Sequence, residues 1–272
     1  MSIKMLIIDH KRAEKNAAKK KTMSRLDHQE CATKTPAARP DGAPRWKRVL
    51  DVTLVLVALP LVLPVMICVA LLIWIVSEGP VLFRQERIGY LGRRFTCFKF
   101  RTMAVGTDTS VHQGHLNNLI NSDVPMVKMD LKGDSRIIPL GVPLRASGLD
   151  ELPQLINVLR GEMSLVGPRP CVRYEFEKYL PWQKERFNTL PGLTGLWQVS
   201  GKNRTTFDEM IQLDIDYARS MTLGLDLLIM TKTIPALIVQ MWDTKVKRKQ
   251  CVRPVRSEPI IRGARSTGDF QR

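Results

Sequence analysis

VTLVLVALPLVLPVMICVALLIWIVS, residues 52–77, is a run of 26 residues without a charge. At a rise of about 1.5 Å per residue, a straight helix of this length exceeds a bilayer core of about 30 Å, so length permits a full crossing. The run starts deep in the chain, behind a basic polar stretch, and no small-residue cleavage site follows it. That excludes a cleavable signal peptide and predicts a segment kept in the mature protein. Two features oppose simple spanning. Pro60 and Pro64 each remove a backbone hydrogen bond and favour a kink. Both flanks are basic, with Arg45, Lys47 and Arg48 before the run and Arg84, Arg87, Arg93 and Arg94 after it. The positive-inside tendency then draws both ends to the cytoplasm. A re-entrant helix that enters, bends at the prolines and returns satisfies both features, provided the freed carbonyls find partners. A spanning helix is the alternative.

The formal charge of +16 is not spread evenly over the 272 residues. Residues 1–48 hold 13 Lys+Arg against 5 Asp+Glu, residues 241–272 hold 9 against 3, and the stretch between holds 20 against 18. A near-neutral body with two basic tails, one leading into an apolar run, suits anionic membrane lipids better than a nucleic-acid groove. The body also lacks the interleaved aromatic and basic residues of a nucleic-acid platform, so no nucleic acid is expected as a partner. Tails that are merely disordered and soluble are the plainer account of residues 11–45. Cys31, Cys68, Cys97, Cys171 and Cys251 are odd in number and widely spaced, which predicts reduced thiols. His10, His28, His112 and His115 do not pair with them at zinc-ligand spacing.

Beyond the apolar run, Val81-Leu-Phe-Arg-Gln and Arg94–Arg101 alternate apolar and polar residues around a turn at Ile88–Arg93, which predicts a short β-hairpin. Residues 104–134, rich in Gly, Asp, Asn and Ser, read as a long loop with one short helix. Helical patterning returns at Glu151–Leu159, at Tyr174–Phe187 and over Thr206–Trp242, the last broken by Pro235. Its apolar density fits helices lying on or just inside a bilayer surface, and equally an ordinary amphipathic core helix.

The chemistry concentrates in LRASGLDELPQ, residues 144–154, where Asp150 and Glu151 adjoin just before a helix and Pro153 fits its first turn. Asp150 could be only an N-cap. Arg145 precedes the pair, however, and Gly167-Pro-Arg-Pro follows one helix later, bringing Arg169 on a rigid turn suited to a phosphate. Adjacent carboxylates repel unless neutralised, and a divalent cation shared with phosphate oxygens does so; Mg²⁺ is the natural candidate.

The string from Leu149 to Pro170, LDELPQLINVLRGEMSLVGPRP, resembles the signature of the bacterial sugar transferases, the monotopic polyprenyl-phosphate phosphoglycosyl transferases. PGLTGLWQVSGKN, residues 191–203, is similar to their second signature, and FKFRTM, residues 98–103, to a third. The resemblance covers about residues 45–240. It implies an α+β protein: a re-entrant membrane helix hairpin kinked at Pro64, a small β-hairpin and a mostly helical catalytic domain with interfacial amphipathic helices. The implied organisation is a basic disordered tail (1–44), the re-entrant helix (45–80), the phosphoglycosyl transferase domain (81–240) and a basic C-terminal tail (241–272). Asp150 and Glu151 take the place of the family's catalytic and metal-binding dyad. The substrate-binding set falls on Lys99, Arg101, Arg145, Arg169, Lys202 and Asp214. The family often has a polar residue just before the kink proline, where this chain has Leu63.

The implied reaction moves a sugar-1-phosphate from a UDP-sugar to a polyprenyl phosphate such as undecaprenyl phosphate. It releases UMP through an aspartyl-phosphosugar intermediate, with Mg²⁺ as cofactor. The implied place is the cytoplasmic face of a bacterial inner membrane, at the first membrane step of exopolysaccharide, capsule or O-antigen synthesis. A homodimer is left open. Two other classes compete: a non-catalytic membrane scaffold, which leaves the dyad and the arginine motifs without a role, and a glycosyltransferase, which would release UDP.

Overall fold

The alternation over residues 82–100 is realised as an antiparallel hairpin, β1 (Leu82–Ile88) and β2 (Arg94–Phe100), in register from Leu82 opposite Phe100 to Ile88 opposite Arg94. A turn of 3₁₀-helix at Tyr90–Gly92 joins the strands, and Leu91 and Gly92 supply its positive φ values of 51° and 75°. This computed structural model describes residues 43–106, 114, 119, 136–201 and 205–251. The loop expected at 104–134 and the N-terminal tail lie almost wholly outside the described residues, as do Lys202 and the part of the expected C-terminal tail beyond Cys251, whereas residues 241–251 continue a helix.

The apolar run lies within one 32-residue helix, α1 (Arg45–Val76), that contains Pro60 and Pro64. Its buried positions fall at its two ends, Lys47, Asp51 and Val55 near the start and Val69 and Ile73 near the finish, while Leu56, Val57, Leu61, Leu63, Val65 and Ile67 between them are exposed. Both ends are fastened to the same body. At the start, Val55 packs with Leu155, Val158 and Met163, Asp51 Oδ1 accepts from the Leu165 N–H at 3.1 Å, and Arg48 donates to the carbonyls of Val158 and Leu159. At the finish, Val69 and Ile73 join a cluster with Phe100, Ile138 and Leu144, against which Leu149 and Leu152 pack.

Four short elements carry the central motifs: α2 (Gly141–Ser147), a 3₁₀ segment (Leu149–Gln154), α3 (Leu155–Arg160) and β3 (Ser164–Val166). The helix expected at Glu151–Leu159 is therefore half 3₁₀ and half α. Asn157, fully buried, binds this region to the hairpin: its Oδ1 accepts from the Phe98 N–H at 3.2 Å and its Nδ2 donates to the Thr96 carbonyl at 2.7 Å. The helix expected at Tyr174–Phe187 is also divided. Only α4 (Arg173–Phe176) is α-helical, and Leu180-Pro181 separates it from a 3₁₀ segment at Trp182–Asn188.

β3 pairs in parallel with β4 (Gly192–Thr194), and α5 (Leu196–Val199) follows. The glycines of two signature strings explain this join. A Cβ on Gly167 would stand 2.3 Å from the Leu190 carbonyl oxygen, and one on Gly192 would stand 2.1 Å from the Gly167 nitrogen. Only bare backbones approach so closely, and the Gly192 N–H donates to the Pro168 carbonyl at 2.9 Å. The Pro168-Arg169-Pro170 turn is thereby held against β4.

Thr206 starts α6 (Phe207–Ser220) with a capping box to Glu209. Phe207, Met210, Ile211 and Ile215 bury its inner face against Trp197, Tyr179 and Phe187. The long apolar stretch then breaks at Met221-Thr222, and α7 (Leu223–Cys251) runs through Pro235, which corrects the expected break there. One stripe of α7 follows the body along its length: Asp226 and Ile229 are buried, Thr233 bonds Thr194 at 2.8 Å, Leu237 nears Gly148, and Gln240 Nε2 donates to the carbonyls of Arg145 and Ala146 at 3.1 and 3.0 Å. Leu227, Leu228, Ile234, Ile238 and Trp242 are exposed. α1 and the Leu223–Thr244 part of α7 are both long and apolar enough to cross a membrane.

The bases of these two helices meet in a buried polar knot. Lys47, wholly buried, forms an ion pair with Asp226 and donates to the Tyr217 hydroxyl at 2.9 Å, and that hydroxyl bonds Asp226 Oδ1 at 2.7 Å. Lys47 and Arg48, read in the sequence as part of a basic flank drawn to the cytoplasm, are thus engaged by the fold itself, Lys47 buried and Arg48 half-buried.

Candidate active site

Asp150 and Glu151 occupy the first turn of the 3₁₀ segment, but the N-cap residue is Gly148, in the left-handed conformation at φ 75°. A dyad at these positions is not explained by capping. Asp150 is 8% exposed, and Glu151 is more open. Lys99 on β2 crosses to the dyad, its Nζ donating to Glu151 Oε1 at 2.9 Å. The hairpin, held by Asn157, therefore delivers one cation to the carboxylates.

A small cavity opens beside this pair, lined by Arg87, Cys97, Lys99, Glu151, Gln154, Arg169, Pro170, Gly192, Leu193 and Gln198. Three cations face one carboxylate across it, an arrangement that favours an anionic ligand. Of the sequence-assigned residues, the fold gathers Lys99, Glu151 and Arg169 here, and Asp150 adjoins on the same turn. Arg145 sits in the last turn of α2, just ahead of the dyad, and does not line the cavity.

Two of the sequence-assigned residues lie outside the cavity lining. Arg101 is a support for α1, not a cavity residue: its guanidinium donates to the Ser77 carbonyl at 2.7 Å and to that of Glu78, satisfying carbonyls at the helix exit. The strand ends at Phe100, so Arg101 leaves the face that Lys99 occupies. Asp214 is 1% exposed and ion-paired with Arg186, which is equally buried. Arg186 also donates to the Arg169 carbonyl at 3.0 Å and to the Tyr179 hydroxyl at 2.6 Å. Asp214 thus stands behind the Arg169 turn and does not line the cavity. Burial dominates its titration and, over the opposing pull of Arg186, raises its carboxyl to about 6.

Arg87, Gln154 and Gln198 were not singled out from the sequence. Arg87 counts there only as a flanking positive charge. Its place between the alternating Val81–Gln85 stretch and the turn at Ile88–Arg93 is the signal the sequence offers.

Among the described residues no group of three or more His, Cys, Asp and Glu side chains gathers at one point. Asp150 and Glu151 are, among the described residues, the adjacent oxygen donors beside the cavity, a pair that fits Mg²⁺ when phosphate and water complete the shell, and does not fit an all-protein cage.

The bacterial sugar transferase family profile matches residues 43–240, which include the cavity, the dyad, all of α1 and α7 as far as Gln240. The chain belongs to the bacterial sugar transferase family. Within it, the chain is 39% identical over 203 residues to the exopolysaccharide production protein ExoY of Rhizobium meliloti, covering 75% of this chain and 89% of that protein. It is 40% identical over 200 residues to a UDP-glucose:undecaprenyl-phosphate glucose-1-phosphate transferase of Caulobacter vibrioides, covering 71% and 69%. It is 38% identical over 199 residues to the galactosyl transferase CpsE of Streptococcus agalactiae, covering 71% and 42%. The family's sugar-transferring chemistry thus accompanies a cation-lined cavity beside paired carboxylates.

Proposed function

We propose that this transferase moves a sugar-1-phosphate from a UDP-sugar to a polyprenyl phosphate such as undecaprenyl phosphate, at the cytoplasmic face of a bacterial inner membrane. The observation that carries the reading is the position of the dyad. Glu151 faces a cavity lined by Arg87, Lys99 and Arg169, while Leu149 and Leu152, which bracket the dyad, pack against the Val69–Ile73 end of the apolar helix. A site between a polar cavity and a lipid-seeking helix can be charged from water and discharged into the bilayer.

In the proposed sequence, a carboxylate oxygen of Asp150 attacks the β-phosphorus of the UDP-sugar. The bond from that phosphorus to the bridging oxygen breaks and UMP departs with the electron pair. An oxygen of the lipid phosphate then attacks the same phosphorus, the acyl-phosphate bond breaks, and the Asp150 carboxylate is restored. Lys99, Arg169 and the dyad's surroundings offset charge that develops on the phosphate oxygens. Mg²⁺, held by Asp150 and Glu151 with phosphate oxygens, would supply Lewis-acid stabilisation.

The membrane topology in this reading is a hairpin. A straight 32-residue helix would measure about 48 Å. Yet both ends of α1 contact the single stretch Leu149–Met163, and the exposed apolar middle lies between them. A bend near Pro60 and Pro64 reconciles these contacts and keeps the body on one side. α7 lies along the interface, because its body-facing stripe runs from Asp226 to Gln240 and its opposite face is apolar.

The test incubates detergent-extracted protein with undecaprenyl phosphate, Mg²⁺ and a panel of UDP-sugars. One sugar should give UMP and a lipid-linked diphosphate sugar, and quenching without lipid should leave a phosphosugar on the peptide containing Asp150. UDP in place of UMP would overturn the reading.

A further inference from the structure

Two guanidinium groups share the cavity without an ion-pair partner of their own, since its carboxylate, Glu151, is paired with Lys99. Arg87 and Arg169 both line it, and among the described residues no carboxylate lies within ion-pair distance of either. Burial, and next the charge of Arg169, push the Arg87 pKa down from its ordinary value, yet an arginine stays protonated throughout the physiological range. Arg87 is also held rigidly. Its Nη1 donates to the Pro170 carbonyl at 3.1 Å and its Nη2 to Gln85 Oε1 at 2.6 Å, while its buried Nε–H has no acceptor among the described residues. Gln198 Oε1, in the same cavity, likewise has no donor. Buried polar groups are ordinarily satisfied, so an unmet N–H donor beside two like charges describes a place for a ligand with anionic oxygens, and the unmet Gln198 oxygen suits a hydroxyl of such a ligand.

We propose that Arg87 is a phosphate-binding residue of the donor site, which with Arg169 forms a two-guanidinium cradle for the diphosphate of the nucleotide sugar. The assignment rests on the donor reading above. The donor fits better than the lipid phosphate because no residue of α1 or α7, the two apolar helices, lines the cavity. Among the described residues Leu193 is its one large aliphatic wall residue, and Gln154 and Gln198 are polar. The competing account makes Arg87 only a pin for the Pro170 turn.

The experiment measures UDP binding by calorimetry on the full detergent-extracted chain, the KM for UDP-sugar and for undecaprenyl phosphate, and the melting temperature, in wild type, Arg87→Gln and Arg87→Lys. Arg87→Gln should weaken UDP binding and raise the donor KM by about ten-fold or more, with the lipid KM changed less than about two-fold. Arg87→Lys, which keeps the charge and loses the fork, should fold like wild type and recover part of the loss. If Arg87→Gln does not fold, the lysine variant carries the test through its intermediate UDP affinity. A raised lipid KM with unchanged UDP binding would assign the cradle to the acceptor and overturn the proposal. Unchanged UDP affinity in both variants, with a lowered melting temperature, would make Arg87 a structural pin and overturn it too. A wild type that fails to bind UDP would overturn the donor reading itself, and this assignment with it.

Discussion

Lys99 Nζ donates to Glu151 Oε1 at 2.9 Å, and this one contact ties the β-hairpin to the turn that carries the dyad. The two side chains are 17% and 32% exposed, so water screens the pair. A screened pair adds about 0–1 kcal/mol to stability. Its value to a phosphate-transferring site is larger, since the same ammonium lines the cavity.

Lys99→Met should therefore separate folding from turnover. The melting temperature should move by no more than about 4 °C, the shift that about 1 kcal/mol produces in a domain of this size. UMP release should fall by about a hundred-fold, the usual order for removing one charge-stabilising donor. Near-normal turnover in the variant would remove Lys99 from the site.

Lys47 behaves oppositely, because it and Asp226 are both buried to within 1%. Lys47→Met leaves the Asp226 charge stranded under the two apolar helices and should cost about 3–5 kcal/mol. A Lys47→Met/Asp226→Leu double variant removes both charges and should regain most of that loss. Chemical unfolding of the three proteins checks this, and a single variant as stable as wild type would show that the knot contributes nothing.

Cys171, 2% exposed, gives a pH prediction. Burial foremost, and then the nearby Glu175 carboxylate, push its thiol up to about 12 from an ordinary 9.0. Between those values the folded chain keeps a proton that the unfolded chain releases. The stability this group contributes is therefore complete below pH 9 and is lost as pH rises towards about 12, at up to about 1.4 kcal/mol per pH unit. Cys171→Ala should show a shallower alkaline decline in unfolding free energy than wild type, and parallel curves would contradict the assignment.

The hairpin topology of α1 predicts that single cysteines placed just before Arg45 and just after Arg87, in a background without other cysteines, both resist a membrane-impermeant maleimide added to intact cells. Labelling at the first position alone would establish a spanning helix. Pro64→Leu restores a backbone N–H at the expected bend and should shift part of the population towards that labelling pattern, with Pro60 limiting the change.

Much of this architecture was legible because its signals are periodic or chemically specific. The alternation on either side of the turn at 88–93 gave the hairpin, the uncharged run gave α1, and the helical pattern from Thr206 onward gave α6. β3 and β4 were missed because three-residue strands are too short to show a period, and their pairing depends on the glycine contact between Gly167 and Gly192. Pro235 was misread as a break because the body-facing contacts on either side, at Thr233 and Leu237, hold the helix through it. Within the candidate site, adjacency singled out Asp150 and Glu151 and the FKFRTM string singled out Lys99, which the fold brings to Glu151, but Arg101 and Asp214 show that membership of a motif does not tell which way a side chain faces. The cation in Arg87 was visible as a charge and not as a site residue, since only the fold brings it to Arg169.

Asp150→Asn is the sharpest test of the proposed chemistry. The two side chains are nearly the same in size and shape, so an 8%-exposed position loses little packing. No helix cap is lost either, because Gly148 holds that place. The melting temperature should accordingly stay within about 4 °C of wild type, corresponding to about 1 kcal/mol or less. What the amide lacks is an anionic oxygen able to attack phosphorus and leave again. If Asp150 forms the acyl phosphate, UMP release should fall by about a thousand-fold or more, and the phosphosugar adduct on its peptide should vanish. Glu151→Gln, which keeps the attacking carboxylate and weakens the bond to Lys99, should instead slow turnover while leaving a detectable adduct. Substantial UMP formation by a well-folded Asp150→Asn variant would end the covalent mechanism, and an adduct that persists in that variant would move the nucleophile to another residue.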